Sequence, residues 1–210
     1  MKVLSLFLLF LTLSFSQNIF NFTNEPIVPI KYKIIDDENK LNLGKKLFFD
    51  GRLSKDNKTS CLSCHNVDFG GVDNLAKSFG VDGQKGIINT PTILNSSLNF
   101  VQFWDGRAKT LKEQIDGPIH NPIEMSSNWD EIIEKLKKVP SYKKMFNLVY
   151  DGVFSSENIK DALVYYEESL LTPSRFDRFL LGDQNAISEK ELKGYELFKD
   201  YGCSSCHQGQ

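Results

Sequence analysis

Two short stretches, CLSCH at residues 61–65 and CSSCH at residues 203–207, decide how this chain is interpreted. Each places two cysteines three positions apart and a histidine directly after the second cysteine. This spacing is typical of c-type haem attachment, in which both thiols bond to one haem and the histidine ligates its iron. The residues predicted to hold two haems are Cys61, Cys64, His65, Cys203, Cys206 and His207, with His65 and His207 as the iron ligands.

Paired cysteines have three other common uses. A four-cysteine zinc site usually has closer pairs, whereas Cys203 lies 139 positions after Cys64. Thioredoxin-like redox pairs belong to an α/β pattern that this chain lacks. Structural disulfides suit an oxidising compartment, but the two motifs already use all four cysteines. Haem attachment is therefore favoured over these three alternatives.

The composition limits the other partners of the chain. Its 210 residues include 25 basic and 27 acidic side chains, for a net charge of −2, and no basic run is longer than a lysine pair. We therefore expect no nucleic-acid binding, which depends on neutralising phosphates. Hydrophobic residues make up 40% of the chain, which is enough to build a buried core.

The first sixteen residues, MKVLSLFLLFLTLSFS, have the pattern of a secretory signal peptide. One lysine precedes an apolar run of about 13 residues, which is shorter than the ~20 residues of a membrane span. Small residues at positions 14 and 16 predict cleavage before Gln17. The pattern therefore predicts export of the protein.

Apolar residues recur at helical spacing in much of the chain, and no segment has a convincing strand pattern. Ser127 is expected to cap one helix and Pro140 to end it, while Ser188 and Glu191 form a capping box. Gly117-Pro118 is expected to stop another helix. Residues 66–100 predict structured loops wrapped around a ligand. The predicted helices cover residues 40–50, 110–116, 129–139, 142–150, 157–171 and 188–199.

A short pattern occurs before each cysteine motif. Gly44, Leu47 and Phe48 precede the first motif, and Gly194, Leu197 and Phe198 precede the second with the same internal spacing. This repetition predicts two units of the same kind. Because only 23 residues of the second unit are present, we expect the chain to be part of a longer sequence.

With these motifs the chain resembles the bacterial di-haem cytochrome c peroxidases and their relative, the tryptophan tryptophylquinone-forming di-haem enzyme. The blocks that carry the resemblance include LGKKLFFD at 43–50, NTPT at 89–92, QFWDGR at 102–107, NPIEM at 121–125 and SRFD at 174–177. The resemblance implies a mainly α fold with long loops. After the signal peptide (1–16), it implies an N-terminal cytochrome c-like peroxidatic domain (17–187) and the beginning of a second cytochrome c-like domain (188–210).

The resemblance also implies an activity. Hydrogen peroxide would be reduced to water at the N-terminal haem, with electrons from a small periplasmic cytochrome c or cupredoxin that enter at the second haem. A periplasmic location, a bound calcium ion and a homodimer are further implications. Two other functions stay open: a non-enzymatic di-haem electron-transfer cytochrome, and a related di-haem oxidase that acts on a protein or organic substrate.

Five residues receive roles through the resemblance. Glu124 corresponds to the distal acid–base carboxylate, with Gln114 and Phe103 as its pocket neighbours. Trp104 corresponds to the aromatic residue between the haems, and Asn89 to a calcium ligand. Without the surrounding motifs, Glu124 would be interpreted as a solvated carboxylate, Trp104 as a core residue and Asn89 as a turn former.

One position departs from the family pattern. Many members carry a histidine, in the loop before the Asn-x-Pro block, that caps the peroxidatic iron until the other haem is reduced. Val81 stands at that position here, and a valine side chain cannot ligate iron. His120 is the only histidine outside the two motifs, and a solvent-facing role is favoured for it. We therefore expect an open iron that reacts with peroxide without prior reduction.

Overall fold

The computed structural model describes residues 25–207, so the predicted signal peptide and the last three residues lie outside the described range. The described part of the chain is mainly α-helical, as predicted. It contains no named strand, and its only β-type pairing consists of two isolated bridges, Phe79 with Lys85 and Gln102 with Ala108. The helices within this range are α1 (Glu38–Phe48), α2 (Cys61–Cys64), α3 (Leu111–Gln114), α4 (Asp116–His120), α5 (Trp129–Lys137), α6 (Pro140–Tyr150), α7 (Ser156–Glu168), α8 (Arg175–Leu180) and α9 (Glu189–Asp200).

Residues 66–100 form loops, as the sequence indicated, interrupted only by single turns of 3₁₀-helix. These turns are Val67–Phe69, Val81–Gly83 and Ser96–Leu98. Buried side chains anchor the loops, for example Val81 and Ile93. The loops are therefore fixed in place by packing, although they lack regular structure.

The predicted cap of α5 is wrong by one residue. The side chain of Asn128, not Ser127, accepts a hydrogen bond from the backbone N–H of Glu131 at 3.0 Å. Ser127 is instead buried. The predicted role of Pro140 is also wrong, because α5 ends at Lys137 and Pro140 is the first residue of α6. Proline is favoured at this position, where its missing N–H would have no partner within the helix.

Gly117-Pro118 does not stop a helix as predicted, because both residues lie inside α4. Pro118 is tolerated there because it lies in the first turn, where backbone N–H groups have no partner within the helix. The chain therefore continues helically to His120 and turns at Asn121, whose N–H donates to the Gly117 carbonyl at 3.0 Å. This turn begins the segment that carries Glu124.

The larger of two hydrophobic cores forms where α1 crosses α7. Gly44 allows the two helices to approach closely, because a side chain at this position would overlap the Ala162 carbonyl. The helices α5 and α6 cover the same core. Its fully buried large side chains include Leu43, Leu47, Phe48, Leu53, Ile119, Ile132, Leu136, Tyr142, Phe146, Ile159 and Leu163.

A second, smaller core lies between α8 and α9. It contains Phe179, Leu180, Ala186 and Tyr195. Helix α8 is absent from the predicted helices, although Ser174 and Asp177 form a capping box at its start. This core contains residues on both sides of position 187 and so does not mark a boundary there. The domain boundary at 187/188 stays a prediction.

An extended segment at residues 25–37, here called the N-terminal strap, connects the two cores. Glu25 pairs with Tyr195 and Lys199 on α9. The backbone N–H of Ile30 donates to Asp177 of α8 at 2.7 Å, and Lys33 pairs with Glu168 of α7. The strap therefore contacts three helices in turn. Among residues 25–207, no helix is both long enough and apolar enough to cross a membrane.

Candidate haem site

The first cysteine motif forms the single turn of α2. Ser60 begins the turn, and its N–H donates to the Ser63 hydroxyl at 3.0 Å. At the other end, the N–H of His65 donates to the Cys61 carbonyl at 2.9 Å. Residues three positions apart share one face of a helix, so Cys61 and Cys64 face the same side. The two thiols are free, as two bonds to one haem would require.

His65 is held in a form that can ligate iron. Its Nδ1 lies 3.3 Å from the Gly71 carbonyl, and an Nδ1–H donating to this oxygen leaves the lone pair of Nε2 available. Burial lowers the pKa of His65, which favours the neutral imidazole that metal binding needs. The residues present therefore fit a c-type haem.

The two cysteine thiols of the first motif are protonated in the haem-free protein. Burial is the main reason that the pKa of Cys61 rises to about 12 and that of Cys64 to about 11, so both remain thiols at neutral pH. Among residues 25–207, no group of three or more His, Cys, Asp or Glu side chains could hold a metal ion.

The second cysteine motif repeats one contact of the first. The N–H of His207 donates to the Cys203 carbonyl at 3.0 Å, just as His65 bonds to Cys61. The turn at Cys203–Ser205 is a 3₁₀-helix, however, and Cys203, Cys206 and His207 are exposed. The ring of Phe198, the end of the repeated pattern, lies 6.5 Å from the His207 ring.

Glu124 lies in a tight turn after α4, and Asn121 orients its side chain. The Asn121 Nδ2 donates to Glu124 Oε1 at 2.6 Å, while Asn121 Oδ1 accepts the backbone N–H of Ile123 at 3.1 Å. Burial raises the pKa of Glu124, although Asn121 and the charge of Arg107 act in the opposite direction. The Glu124 carboxylate in turn contributes to the raised pKa of Cys64. Glu124 is therefore close enough to the first motif to act electrostatically on it.

Phe103 borders the same segment. Its ring packs against Gly117 of α4, where an added Cβ would lie 2.6 Å from Phe103 Cζ. On the ring, the guanidinium of Arg107 stacks with its central carbon 3.4 Å from the ring centroid. Phe103 itself has a left-handed backbone, with φ of 67°. Phe103, Arg107 and Glu124 thus belong to one neighbourhood.

Gln114, another predicted site residue, is half-buried at the end of α3, and within the described range its side chain forms no hydrogen bond with Glu124. Trp104 is 69% exposed, and its Nε1 donates to the Asn89 carbonyl at 3.0 Å. The side-chain amide of Asn89 donates to the Leu75 carbonyl at 2.6 Å. Trp104 and Asn89 therefore form a pair at the surface.

Sequence reasoning did not assign roles to Asn121 and Arg107, which act on Glu124. Asn121 had a detectable signal, since an asparagine before proline commonly bonds to the backbone two residues later. Arg107 had no such signal in the sequence, because its effect on the pKa of Glu124 depends on the fold. Val81 is buried, and His120 is exposed with its ring edge-on to Trp129 at 6.3 Å.

With two c-type motifs, a helical fold and a carboxylate beside the first motif, the chain belongs to the di-haem cytochrome c peroxidase family, whose model matches residues 38–185. It is 52% identical over 188 residues to cytochrome c peroxidase Ccp of Escherichia coli, covering 89% of this chain and 40% of the relative. It is 51% identical over 189 residues to cytochrome c551 peroxidase of Nitrosomonas europaea, covering 89% of this chain and 56% of the relative. The chain thus spans about half the length of these relatives.

Solved structures have the same fold. A MauG-like protein associated with microbial copper homeostasis superposes with a TM-score of 0.75 at 26% identity, covering 93% of this chain and 59% of the other. The di-haem peroxidase BthA from Burkholderia thailandensis gives a TM-score of 0.69 at 24% identity, covering 84% of this chain and 50% of the other. The second likeness concerns the fold alone.

Proposed function

We propose that this chain is the N-terminal, peroxide-reducing part of a periplasmic di-haem peroxidase. The reaction takes up two electrons and two protons and converts one hydrogen peroxide molecule to two water molecules. The observation that carries the proposal is the Glu124 carboxylate, oriented by Asn121 and electrostatically coupled to Cys64 of the first haem motif. Membership of the peroxidase family agrees with this assignment.

A haem held by Cys61, Cys64 and His65 would supply an iron able to exchange electrons with peroxide. Glu124 supplies the proton transfer, because a carboxylate can take a proton from one peroxide oxygen and return it to the other. Such acid–base help typically accelerates a reaction ~10²–10⁴-fold. Asn121 and Arg107 favour the ionised carboxylate, and burial makes that carboxylate a stronger base. Phe103 is proposed as a neighbour of Glu124 in the same pocket.

Electrons are proposed to come from a small cytochrome c or cupredoxin, through a second haem at Cys203, Cys206 and His207. Trp104 is proposed to lie on the route between the haems. Its surface position agrees with a residue that meets a neighbouring unit. The proposal includes export by the N-terminal signal peptide and assembly as a homodimer.

Asn89 is proposed as a calcium ligand. Its Nδ2 donates to the Leu75 carbonyl, which leaves the side-chain oxygen as the ligating atom. Calcium prefers amide and carboxylate oxygens of this kind. Calcium bound by the wild-type holoprotein, and lost in Asn89→Leu, would support the assignment. Equal calcium content in both proteins would contradict it.

The acid–base role is tested with Glu124→Gln, which removes the proton carrier and almost no volume. We expect peroxidase turnover to fall ~10²–10⁴-fold while covalent haem content is unchanged. Glu134→Gln is the matched control, since Glu134 is an exposed side chain of α5 bonded to Lys137. Turnover of Glu124→Gln within about threefold of wild type, well below the usual acid–base contribution, would contradict the proposal.

A further inference from the structure

The turn Val81–Gly83 lies against the backbone of the segment that carries Glu124. The Val81 N–H donates to the Glu124 carbonyl at 2.8 Å. Three residues later, the Gln84 side-chain amide donates to the Pro122 carbonyl at 3.1 Å. Two carbonyls of the segment that carries Glu124 are therefore bonded to one short stretch of a different loop.

Gly80 lets this contact form. Its φ of −99° is accessible to any residue, so backbone conformation does not require glycine here. Space does require it: an added Cβ would overlap the Ile123 carbonyl oxygen and lie 2.6 Å from the Glu124 carbonyl oxygen. Glycine is used where one backbone must approach another this closely.

The turn is also hydrogen-bonded internally. The Gly80 N–H donates to the Gln84 carbonyl at 2.9 Å, and the Gly83 N–H donates to the Gly80 carbonyl at 3.1 Å. The Val81 side chain is only 1% exposed, so moving the turn would expose apolar surface as well as break hydrogen bonds. Detaching the turn would therefore lose both kinds of contact.

We propose that residues 80–84 form a clamp that positions Glu124, with Gly80 and Gln84 as positioning residues. The clamp stays docked in both the oxidised and the reduced holoprotein. This inference rests on the proposed acid–base role of Glu124. The clamp bonds to the backbone carbonyl of Glu124, and Asn121 bonds to its carboxyl group. Proton transfer is sensitive to such placement, because a displacement of about 1 Å can cost 10²-fold in rate.

The first test is amide hydrogen exchange on the holoprotein. The Val81 amide is expected to be protected in the oxidised and in the reduced state, since its N–H donates to the Glu124 carbonyl. Gly80→Ala should lose this protection, and Gln84→Leu should weaken it. Gly86→Ala is the matched control in the same loop, because its added Cβ would approach only Ser78, at 3.2 Å from the carbonyl oxygen.

The second test separates kcat from KM in the same variants. Gly80→Ala should lower kcat at least about tenfold, with a smaller change in KM and a shifted pH profile, because Glu124 is displaced. Gln84→Leu should give a smaller loss of the same kind, and Gly86→Ala should behave as wild type. Gln84→Leu is the milder variant, and it keeps the test valid if Gly80→Ala folds poorly.

Two results would overturn the clamp. Rapid exchange of the Val81 amide in either oxidation state of the wild type would show that the turn detaches. A protected Val81 together with unchanged kcat and pH profile in both clamp variants would show that the turn does not position Glu124. The exchange result does not depend on catalysis, so it is separable from failure of the proposed function, which Glu124→Gln tests.

Discussion

Gly44 of α1 lies directly against the backbone of Ala162 on α7, and the two helices touch at this point without any side chain between them. A Cβ on Gly44 would overlap the Ala162 carbonyl oxygen and lie 2.8 Å from Tyr166 Cβ. The corresponding residue of the repeated pattern, Gly194, is exposed and has no atom within 4 Å of an added Cβ in the described part of the chain. The same sequence pattern thus has two different environments.

These environments predict opposite effects of one substitution. Gly44→Ala should destabilise the protein by about 1–3 kcal/mol or more, because the core must shift to fit the methyl group. Gly194→Ala should stabilise it by up to about 1 kcal/mol, the usual preference for alanine inside a helix. Urea unfolding of the two variants measures both changes, and equal changes in both would contradict the packing described for α1 and α7.

Asn121→Leu should shift the pH dependence of peroxidase activity. Asn121 favours the ionised form of Glu124, so its removal should raise the pKa of this carboxyl further above its ordinary value. The carboxylate is the form that accepts a proton, and the acid limb of kcat/KM should therefore move to higher pH. Arg107→Leu should move the limb in the same direction. An acid limb unchanged in both variants would show that Glu124 does not control it.

Trp104→Leu should affect electron transfer without affecting folding. Because Trp104 is 69% exposed, its replacement should change the free energy of unfolding by less than about 0.5 kcal/mol. Steady-state turnover should nevertheless fall, since the proposed route between the haems loses its aromatic ring. Trp129→Leu is the contrasting variant, because Trp129 bonds to Asp116 and packs on the main core. It should lose stability. Turnover of Trp104→Leu equal to wild type would remove Trp104 from the route.

Glu167 should make stability depend on pH. Burial raises its pKa to about 8, whereas the unfolded chain releases this proton near the ordinary value of 4.5. Between these pH values the folded state binds more protons than the unfolded state, so stability falls as pH rises. Glu167→Gln carries no such proton, and its stability relative to wild type should increase by a few kcal/mol from pH 5 to pH 8.

The neighbouring carboxylate provides the control for this experiment. Glu168 is half-exposed and paired with Lys33. Glu168→Gln should keep most of the pH dependence of the wild type, since burial is the main cause of the raised pKa of Glu167 and the charge of Glu168 is the smaller one. Urea unfolding of the holoproteins at pH 5, 6.5 and 8 measures the difference, and a Glu167→Gln profile parallel to the wild type would contradict the buried, protonated state of Glu167.

Val81→His tests the resting state of the N-terminal haem. With valine at this position, the fully oxidised protein should react with peroxide without prior reduction. A histidine at position 81, whose N–H donates to the Glu124 carbonyl, should slow that reaction by competing with peroxide for the iron. EPR of the oxidised wild type checks the starting point. A low-spin bis-histidine signal from the N-terminal haem would contradict the open iron and indicate His120 as its ligand.

Much of the fold could be predicted because its signals are local. The Ser188 and Glu191 capping box marks the start of α9, and the apolar spacing of α7 identifies its buried face. Neighbouring residues with similar properties caused the local errors: Asn128 and Ser127 are both good caps, and only the structure shows which one bonds to Glu131. The six residues of α8 are too few for a clear periodic pattern.

The chemistry of the first haem motif was likewise local, because the cysteines and the histidine are adjacent in the sequence. The surroundings of Glu124 could not be predicted in this way, because they come from distant parts of the chain. Arg107 acts on it through space, and Gly80 touches its backbone from a loop more than forty residues earlier in the chain. No spacing rule relates these positions, since their contact arises only when the loops pack together.

The N-terminal strap has a consequence for the order in which this protein folds. Glu25 meets Tyr195 and Lys199, partners that are 170 and 174 residues further along the chain. Contacts between such distant positions close large loops, and they form slowly because the chain entropy must be lost first. During synthesis the strap emerges long before α9 exists, so it has to wait for its partners. Docking of the strap therefore reports that the helices it contacts have formed, and pulse-labelling of the Ile30 amide, which donates to Asp177 of α8, would time the docking on α8.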